Sequence, residues 1–253
     1  MLPALDQCVR RLFSLAPGGA PPIASWGSGD CRHAIRVGGE RPVGVEEDGA
    51  VAQGDWEPWT PAEVAQRLAF VDAPWAVAAG WALDLFVGEV TRTHEDLEIV
   101  VPAARFAEIV AALPGFQWKV AGDGRIWPYP RYLDRHFQTW LWDVEQDCFR
   151  LDVFREPHTE GRWVCRRDPS ITLDYAELIL RTPAGVPYLI PEVALLFKAK
   201  HVRDKDEADF ARVLPELSSP RRDRLRGWLT QVHPGHHWID ALCGPPHPPL
   251  VGW

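Results

Sequence analysis

Hydrophobic positions between residues 75 and 88 change their spacing partway along the segment. Trp75, Val77 and Ala79 recur at every second position, which is typical of a strand that enters a hydrophobic core. Trp81–Val87 is mostly apolar and predicts a short helix, and Gly88 follows where such a helix would end. The pattern therefore predicts a strand, a tight turn and a short helix.

A second alternating run follows at residues 96–101. Asp96 and Glu98 are expected on one face of a strand and the aliphatic side chains on the other, because side chains alternate. The aliphatic residues are Leu97, Ile99 and Val101. Two carboxylates at this spacing repel each other, and a shared divalent cation relieves the repulsion. Mg²⁺ binds carboxylate and phosphate oxygens, so a nucleoside triphosphate is the natural third component of such a site.

Gly80 lies between the predicted strand and the predicted helix. Glycine permits a tight turn that a larger residue would obstruct. The helix N-terminus behind it presents backbone N–H groups and the positive end of the helix dipole, and both favour an anion. The turn therefore supports a phosphate site beside the two acids. Without the turn, a solvent-exposed strand face would be the better interpretation of Asp96 and Glu98.

The whole segment resembles the nucleotidyltransferases that modify antibiotics, namely the aminoglycoside 2″-adenylyltransferase and lincosamide nucleotidyltransferase group. The pattern of this group is Gly-Gly-Trp, a short helix with an Asp, a Gly, and then Thr-Arg-x-His-x-Asp-x-Asp/Glu. The matching residues here are Gly80, Trp81, Asp84, Gly88, Thr91, Arg92, His94, Asp96 and Glu98. One position departs from the pattern, because Ala79 replaces the first glycine of the pair. Its methyl group would hinder the approach of a triphosphate to the backbone.

The resemblance covers about residues 61–240 and implies an α+β protein with the nucleotidyltransferase (DNA polymerase β-like) fold. Such a fold has a mixed β-sheet backed by helices, here with an N-terminal appendage and a C-terminal helical part. We predict an appendage of unknown role at residues 1–58, a nucleotidyltransferase domain at 59–215, and a C-terminal helix with a proline-rich tail at 216–253. Within the appendage, the predicted elements are a helix at Asp6–Leu15 and strands at His33–Val37 and Pro42–Val45.

The resemblance also implies a function. It is the Mg²⁺-dependent transfer of a nucleoside monophosphate, AMP from ATP or the equivalent from another NTP, to a hydroxyl of a small molecule. An aminoglycoside-like compound or another antibiotic is the expected acceptor, and Asp96 and Glu98 would hold the Mg²⁺. Two other interpretations stay open: a toxin-like nucleotidyltransferase that acts on tRNA or protein, and a non-catalytic nucleotide-binding member of the fold.

A third acid lies in a later strand. Phe137–Trp142 and Phe149–Phe154 predict two strands joined by a polar turn, and Asp152 stands in the mostly apolar second strand. From the residues alone, Asp152 could pair with Arg150 or Arg155, or could lie exposed on an edge strand. The resemblance instead implies that Asp152 is the base that activates the acceptor hydroxyl and that it also contacts the metal.

A set of nucleotide-binding residues is implied around this site. Gly80 and the start of its helix would hold phosphate, whereas Arg92 and His94 would contact phosphate or anchor their loop. The stretch that begins at Lys198 also resembles family sequence that helps hold the triphosphate, with an exposed charged helix end as the alternative. Because residues two apart on a helix face different ways, only one of Lys198 and Lys200 is expected to reach the site. The full predicted set is Gly80, Trp81, Arg92, His94, Lys198 and Lys200.

Residues 122–136 lack a clean period and are rich in glycine, proline and aromatic residues. They predict a long loop near the site, because long ordered loops in compact domains are often functional. A variable surface loop is the alternative. The aromatic candidates for binding the acceptor are Trp127, Tyr129 and Tyr132.

Capping signals mark the starts of further helices. Thr60 and Glu63 form a capping box, and a proline occupies the first helical position between them. Pro191 opens another helix, and Asp204 with Glu207 predicts a second capping pair at the start of the next one.

Composition and charge narrow the class of protein. The five cysteines are scattered and form no C-x-x-C, which favours a reducing cytoplasm and argues against a zinc or disulfide framework. The net charge of −8 disfavours a nucleic-acid partner, which needs a basic surface, and favours a cationic small molecule. No run is long enough to span a membrane and no basic-apolar leader is present, so we expect a cytoplasmic protein.

Overall fold

The computed structural model describes residues 49–51 and 54–244. The elements predicted in residues 1–48 and the proline-rich tail beyond residue 244 lie outside the described residues. The described helices are α1 (Pro61–Arg67), α2 (Ala79–Val87), α3 (Phe106–Ala112), α4 (Tyr175–Leu178), α5 (Pro191–Lys198), α6 (Asp204–Val213), α7 (Ser219–Val232) and α8 (Trp238–Leu242). Two short 3₁₀ helices occupy Ala103–Arg105 and Leu214–Glu216.

The strands form two sheets. They are β1 (Ala50–Val51), β2 (Asp55–Trp56), β3 (Ala76–Val77), β4 (Glu98–Pro102), β5 (Gln117–Gly122), β6 (Arg125–Pro128), β7 (Gln138–Asp143), β8 (Cys148–Glu156), β9 (His158–Thr159), β10 (Arg162–Val164), β11 (Thr172–Asp174), β12 (Ile179–Arg181) and β13 (Pro187–Leu189). The larger sheet has the order β1-β6-β5-β7-β8-β4-β3-β13-β12, with β2 paired to β8. Strands β11, β10 and β9 form a small antiparallel sheet.

The larger sheet is mixed. β4 pairs with β8, β13 with β3 and β2 with β8 in parallel, whereas the other neighbours are antiparallel. Side chains from all eight described α-helices join the strands in one core cluster, for example Val64, Leu83, Ile109, Leu178, Leu196, Phe210, Leu229 and Trp238. The predicted α+β class, a mixed sheet backed by helices, is therefore confirmed.

Two short strands precede the predicted start of the catalytic domain at residue 59. β1 pairs antiparallel with β6, and β2 pairs parallel with the first residues of β8. Part of the stretch assigned to the appendage thus contributes to the main sheet. The division of the chain into domains stays a prediction.

The predicted start of α1 and the predicted end of α2 are confirmed. Thr60 Oγ1 accepts a hydrogen bond from the Glu63 amide at 3.3 Å, and the Glu63 carboxylate accepts one from the Thr60 amide at 2.7 Å. These two bonds close the capping box. Gly88 caps α2 with φ +85°, a left-handed conformation that glycine adopts without steric cost.

The turn before α2 differs from the prediction. The strand ends at Val77, and Ala79 is already the first residue of α2. The left-handed backbone falls on Ala79, with φ +50°, rather than on Gly80. A residue with a Cβ is strained in this region, because the Cβ approaches the following carbonyl oxygen.

The prediction of one long loop at residues 122–136 was wrong. Gly122 and Arg125 are paired residues of β5 and β6, so Asp123 and Gly124 close a two-residue hairpin. Both have positive φ, 49° and 71°, as a type I′ turn requires. An Asp-Gly dipeptide is the strongest short hairpin signal, and it explains the extra strand.

The predicted cap of α6 was also wrong. The helix starts at Asp204, and the Asp206 carboxylate accepts a hydrogen bond from the Arg203 amide at 3.1 Å. Glu207 instead accepts a hydrogen bond from Trp238 Nε1 at 3.0 Å. The capping carboxylate is thus one residue earlier than expected.

Within residues 49–51 and 54–244, no helix combines the length and the apolar character needed to cross a bilayer.

Candidate active site

Glu98 and Asp152 are register partners on the neighbouring parallel strands β4 and β8. Opposed residues of paired strands point to the same face, so the two side chains lie next to each other. The Asp152 amide donates to the Leu97 carbonyl at 2.9 Å, and the Ala78 amide donates to the Glu98 carbonyl at 2.8 Å. Both acids are 4% exposed. Backbone pairing therefore brings together two buried carboxylates from distant parts of the sequence.

Asp96 and Glu98 line a cavity of about 260 Å³. Residues 78–80, from the turn before α2, form one end of the cavity, and Gln138 at the start of β7 lines it as well. Residues of α5 and of the segment that follows it complete the wall. Asp152 does not line the cavity itself, but Gln138 Nε2 donates a hydrogen bond to Asp152 Oδ2 at 2.9 Å.

The structure removes one alternative for Asp152. Strand β8 has β7 on one side and β4 on the other, so Asp152 is not an acid on an exposed edge strand. The two arginines considered as its partners also have other contacts. Arg150 Nε lies 3.1 Å from Asp143 Oδ2, and Arg155 Nε donates to Thr139 Oγ1 at 2.9 Å.

The donor set beside the cavity fits a hard cation. Asp96 and Glu98 offer carboxylate oxygens, and Mg²⁺ binds in this way through one or two carboxylates together with phosphate oxygens and water. In the described parts of the chain, no three His, Cys, Asp or Glu side chains are grouped to hold a metal by themselves. A metal site formed by Asp96, Glu98 and Asp152 stays a prediction; of these three acids, Asp96 and Glu98 line the cavity.

Gly80 leaves room for two side chains of the motif. A Cβ at Gly80 would collide with Arg92 Nη2 and would lie 2.9 Å from Cε1 of His94. Arg92 also reaches α6, where its Nε lies 3.3 Å from Asp209 Oδ1. The glycine is therefore needed for packing of the motif in addition to any role in binding phosphate.

His94 anchors the loop that precedes the acid pair. Its Nε2 lies 2.7 Å from Asp84 Oδ2, and its ring stacks on Trp81 with a centroid distance of 4.3 Å. Asp84 also accepts a hydrogen bond from the Thr91 hydroxyl at 2.5 Å. Burial lowers the pKa of His94 although the Asp84 hydrogen bond opposes this change, so the ring is neutral near pH 7. These contacts favour loop anchoring over phosphate contact.

Lys198 is held by two buried acids of α6. Its Nζ lies 2.6 Å from Asp206 Oδ1 and 3.0 Å from Asp209 Oδ2. Burial opposes ionisation of Asp206, but hydrogen bonds from Arg203 and Lys198 outweigh burial and lower the pKa of Asp206 to about 2. Asp209 thereby joins Lys198 to Arg92 at the cavity wall.

The expectation that only one of Lys198 and Lys200 reaches the site was wrong, because both line the cavity. Helix α5 ends at Lys198, with Ala199 as its C-cap. Lys200 lies beyond the helix, so the helical spacing rule does not apply to it.

The three aromatic candidates for the acceptor lie elsewhere. Trp127 is on β6, which β5 and β7 separate from β8, a distance of roughly 14 Å at the usual strand spacing. Its ring stacks on His136, and Tyr132 contacts its edge. Tyr129 packs against Phe106. None of the three lines the cavity, so the structure does not bring them to the acids.

The sequence analysis missed several residues of the cavity wall. Arg166 and Arg167 follow β10, and Glu156 ends β8. The alternation of β8 was the available signal, because Glu156 is two positions beyond Phe154 and four beyond Asp152 and therefore shares their face.

Residues 62–163 match the family model described as aminoglycoside-2''-adenylyltransferase, which confirms the resemblance found in the sequence. Among curated proteins, the comparison found no match.

Three solved structures are similar to the chain. The lincosamide antibiotic adenylyltransferase LnuA, with lincomycin bound, shares 15% identity at a TM-score of 0.45 and covers 64% of this chain and 98% of its own. ANT(2")-Ia in complex with adenylyl-2"-tobramycin shares 15% identity at a TM-score of 0.47 and covers 68% of this chain and 97% of its own. An antigenic nucleotidyltransferase-like protein from Paracoccidioides brasiliensis shares 16% identity at a TM-score of 0.39 and covers 72% of this chain and 88% of its own.

Proposed function

We propose that this protein transfers a nucleoside monophosphate, AMP from ATP in the first instance, to a hydroxyl group of a small molecule such as an antibiotic. The observation that carries the proposal is the parallel register of Glu98 with Asp152, next to Asp96 and to the cavity. The family match over residues 62–163 supports an antibiotic as the acceptor.

Asp96 and Glu98 are the proposed ligands of Mg²⁺. When bound, Mg²⁺ would neutralise the negative charge that develops on the triphosphate during transfer. Arg92 and Lys198 line the same cavity and present cationic groups on its α6 side. Because Asp209 contacts both of them, it fixes where these charges stand relative to the acid pair.

Asp152 is the proposed base for the acceptor hydroxyl. Its Oδ2 accepts a hydrogen bond from Gln138, which lines the cavity. The ionised carboxylate is the form of Asp152 that can take a proton. A base must come within hydrogen-bond reach of the proton that it removes, directly or through one water. We place the acceptor hydroxyl beside Gln138, which lines the cavity and contacts Asp152.

The test uses the full chain, a panel of hydroxylated antibiotics, each of the four NTPs and Mg²⁺, with mass spectrometry of the acceptors. We expect a mass gain of one nucleoside monophosphate on an acceptor hydroxyl. Asp96→Asn should abolish this gain, because it removes one charge from the metal site but keeps the side-chain shape. Glu89→Gln is the matched control, since Glu89 is exposed and outside the cavity lining. Full activity of Asp96→Asn, with an unchanged melting curve, would contradict the metal assignment.

A further inference from the structure

The cavity continues beyond the acid pair along the face of β8. Phe154 and Glu156 share the face of Asp152, because residues two apart in a strand point to the same side. Both line the cavity, as does Phe137, which immediately precedes β7. In the sheet, β7 and β8 lie on the side of β4 opposite to β3 and the turn before α2. The cavity therefore has a second region, which we name the aromatic end.

A guanidinium group occupies the centre of the aromatic end. The carbon Cζ of Arg166 lies 3.8 Å from the ring centroid of Phe137 and 4.9 Å from that of Phe197. Arg166 Nε donates to Glu156 Oε1 at 3.0 Å, and Glu156 Oε2 accepts from Trp163 Nε1 at 3.1 Å. Glu156 is 2% exposed, so a buried and fully oriented carboxylate holds the plane of Arg166 in place.

Arg167 adds a second cation to the aromatic end. Its Nη2 donates to the Phe197 carbonyl at 3.0 Å, and its Nε is buried without a hydrogen-bond partner in the described part of the chain. Burial and the charge of Arg166 lower the pKa of Arg167 to about 10, which still leaves it charged at neutral pH. The aromatic end therefore carries two cations and one carboxylate.

Three further acidic residues of the cavity lining are engaged by basic residues of the protein. Apart from Asp96 and Glu98, the acidic residues of the lining are Glu95, Glu156 and Asp206. Each of them forms an ion pair with a basic residue: Glu95 with Lys205, Glu156 with Arg166, and Asp206 with Lys198. A polycationic acceptor needs carboxylates that it can neutralise, and these three are paired with the protein's own cations.

We infer that the aromatic end is the acceptor subsite, and that its acceptor is a neutral or anionic hydroxyl compound with a flat apolar group rather than a polycation. The inference rests on the proposed function, because the acceptor hydroxyl must come within reach of Asp152 on β8, and Phe154 and Glu156 of the aromatic end share the face of Asp152. The flat group packs against the cluster in which Arg166 lies over Phe137 and Phe197, and an anionic group meets Arg166 and Arg167. The net charge of −8 had favoured a cationic ligand, but the local charge of the cavity reverses that expectation.

Residues Arg166, Arg167 and Phe197 lie outside the stretch that matches the aminoglycoside-2''-adenylyltransferase family model, which ends at residue 163. Phe137, Phe154 and Glu156 lie inside it, so the aromatic end is built partly by residues beyond that match. The protein can therefore share the nucleotide chemistry of the matched family and still use a different class of acceptor.

The test measures binding by isothermal titration, first without nucleotide and then with Mg²⁺ and the non-hydrolysable α,β-methylene-ATP. The probes are 4-nitrophenyl β-glucoside as the neutral aryl compound, 4-nitrophenyl β-glucuronide as the anionic one, and tobramycin as the polycation. We expect both aryl compounds to bind at least tenfold more tightly than tobramycin. If neither aryl compound binds more tightly than tobramycin, the inference is wrong.

Variants locate the subsite. Arg166→Met should weaken glucuronide binding by about tenfold, equivalent to roughly 1.4 kcal/mol, and should affect the glucoside less. Phe137→Leu should weaken the binding of both aryl compounds. This variant replaces Arg166→Met as the test if Arg166→Met leaves Glu156 unpaired and unfolds the protein. Arg162→Met is the matched control, because Arg162 pairs with Asp174 outside the cavity lining. If Arg166→Met and Phe137→Leu bind all three probes with the same affinities as Arg162→Met, the assignment of the acceptor subsite is wrong.

The two proposals fail separately. Efficient nucleotidyl transfer to tobramycin, with weak binding of both aryl compounds, would reject the aromatic acceptor subsite and leave the nucleotidyltransferase function intact. The expected binding order and variant effects without any nucleotidyl transfer would support the subsite and reject the proposed function.

Discussion

The side-chain amide of Gln138 on β7 donates a hydrogen bond of 2.9 Å to Oδ2 of Asp152 on β8. The bond crosses between two antiparallel strands and links the proposed base to the cavity lining. It also gives the carboxylate a fixed orientation. A change at Asp152 should therefore affect the proton transfer without rebuilding the strand pair.

Asp152→Asn should separate binding from chemistry. Asparagine can still accept the hydrogen bond from Gln138 but cannot take the acceptor proton, so we expect kcat to fall by about 10²–10⁴. Nucleotide affinity should change little, which titration of Mg-ATP measures. Asp143→Asn is the control, because Asp143 lies in the same hairpin and pairs with Arg150. A parallel loss of nucleotide affinity would assign Asp152 to the metal instead.

Gly80→Ala should destabilise the protein. The new methyl group would collide with Arg92 and crowd His94, and overpacking of this kind costs roughly 1–3 kcal/mol. Gly227→Ala is the opposite control, because Gly227 lies in α7 with open space where a Cβ would be. This substitution should raise the free energy of unfolding by about 0.5–1 kcal/mol. Urea denaturation of both variants gives the comparison, and equal effects would refute the packing role of Gly80.

Ala79→Gly should stabilise the turn before α2. Alanine at φ +50° is strained by about 1–2 kcal/mol, and the greater freedom of glycine in the unfolded chain offsets part of the gain. We therefore expect a net gain of roughly 0.5–1 kcal/mol and tighter Mg-ATP binding, since a methyl group leaves the cavity lining. Ala82→Gly makes the same change inside α2, where we expect destabilisation. A lower melting temperature for Ala79→Gly would argue against strain at this position.

Asp206 should contribute pH-dependent stability. Its pKa is about 2 in the folded protein against an ordinary 3.8, so the carboxylate form stabilises the fold. The contribution, roughly 2 kcal/mol, is present above pH 4 and is lost as the pH falls from about 4 to 2. Asp206→Asn should therefore lower the urea midpoint at pH 6 and flatten its decline between pH 4 and 2.5.

Asp223→Asn provides the control for this experiment. Asp223 forms an exposed pair with Arg226 on α7, and such surface pairs contribute little. If both variants show the same dependence of the urea midpoint on pH, the buried contacts of Asp206 with Lys198 and Arg203 do not supply the expected stability.

Local chemistry made several elements predictable. The Thr60–Glu63 capping box, the glycine end of α2 and the hairpin of β7 and β8 depend on residues that are close in sequence. Strand alternation was not enough for the acid pair, because β4 begins at Glu98 and Asp96 precedes it, although both acids line the cavity. The Asp123-Gly124 turn was equally local, and its signal was present but overlooked.

Only the tertiary structure decided what surrounds the acid pair. The sequence by itself determined the motif and the class of fold, and it singled out Asp96, Glu98 and Asp152 as candidates. It did not determine that Trp127 lies three strands away from Asp152, that Lys200 joins Lys198 in the cavity, or that Arg166 stands over Phe137. These relationships depend on strand order and on helix packing between distant segments. Hydrophobic periodicity specifies which face of an element is buried, but not which other element covers it.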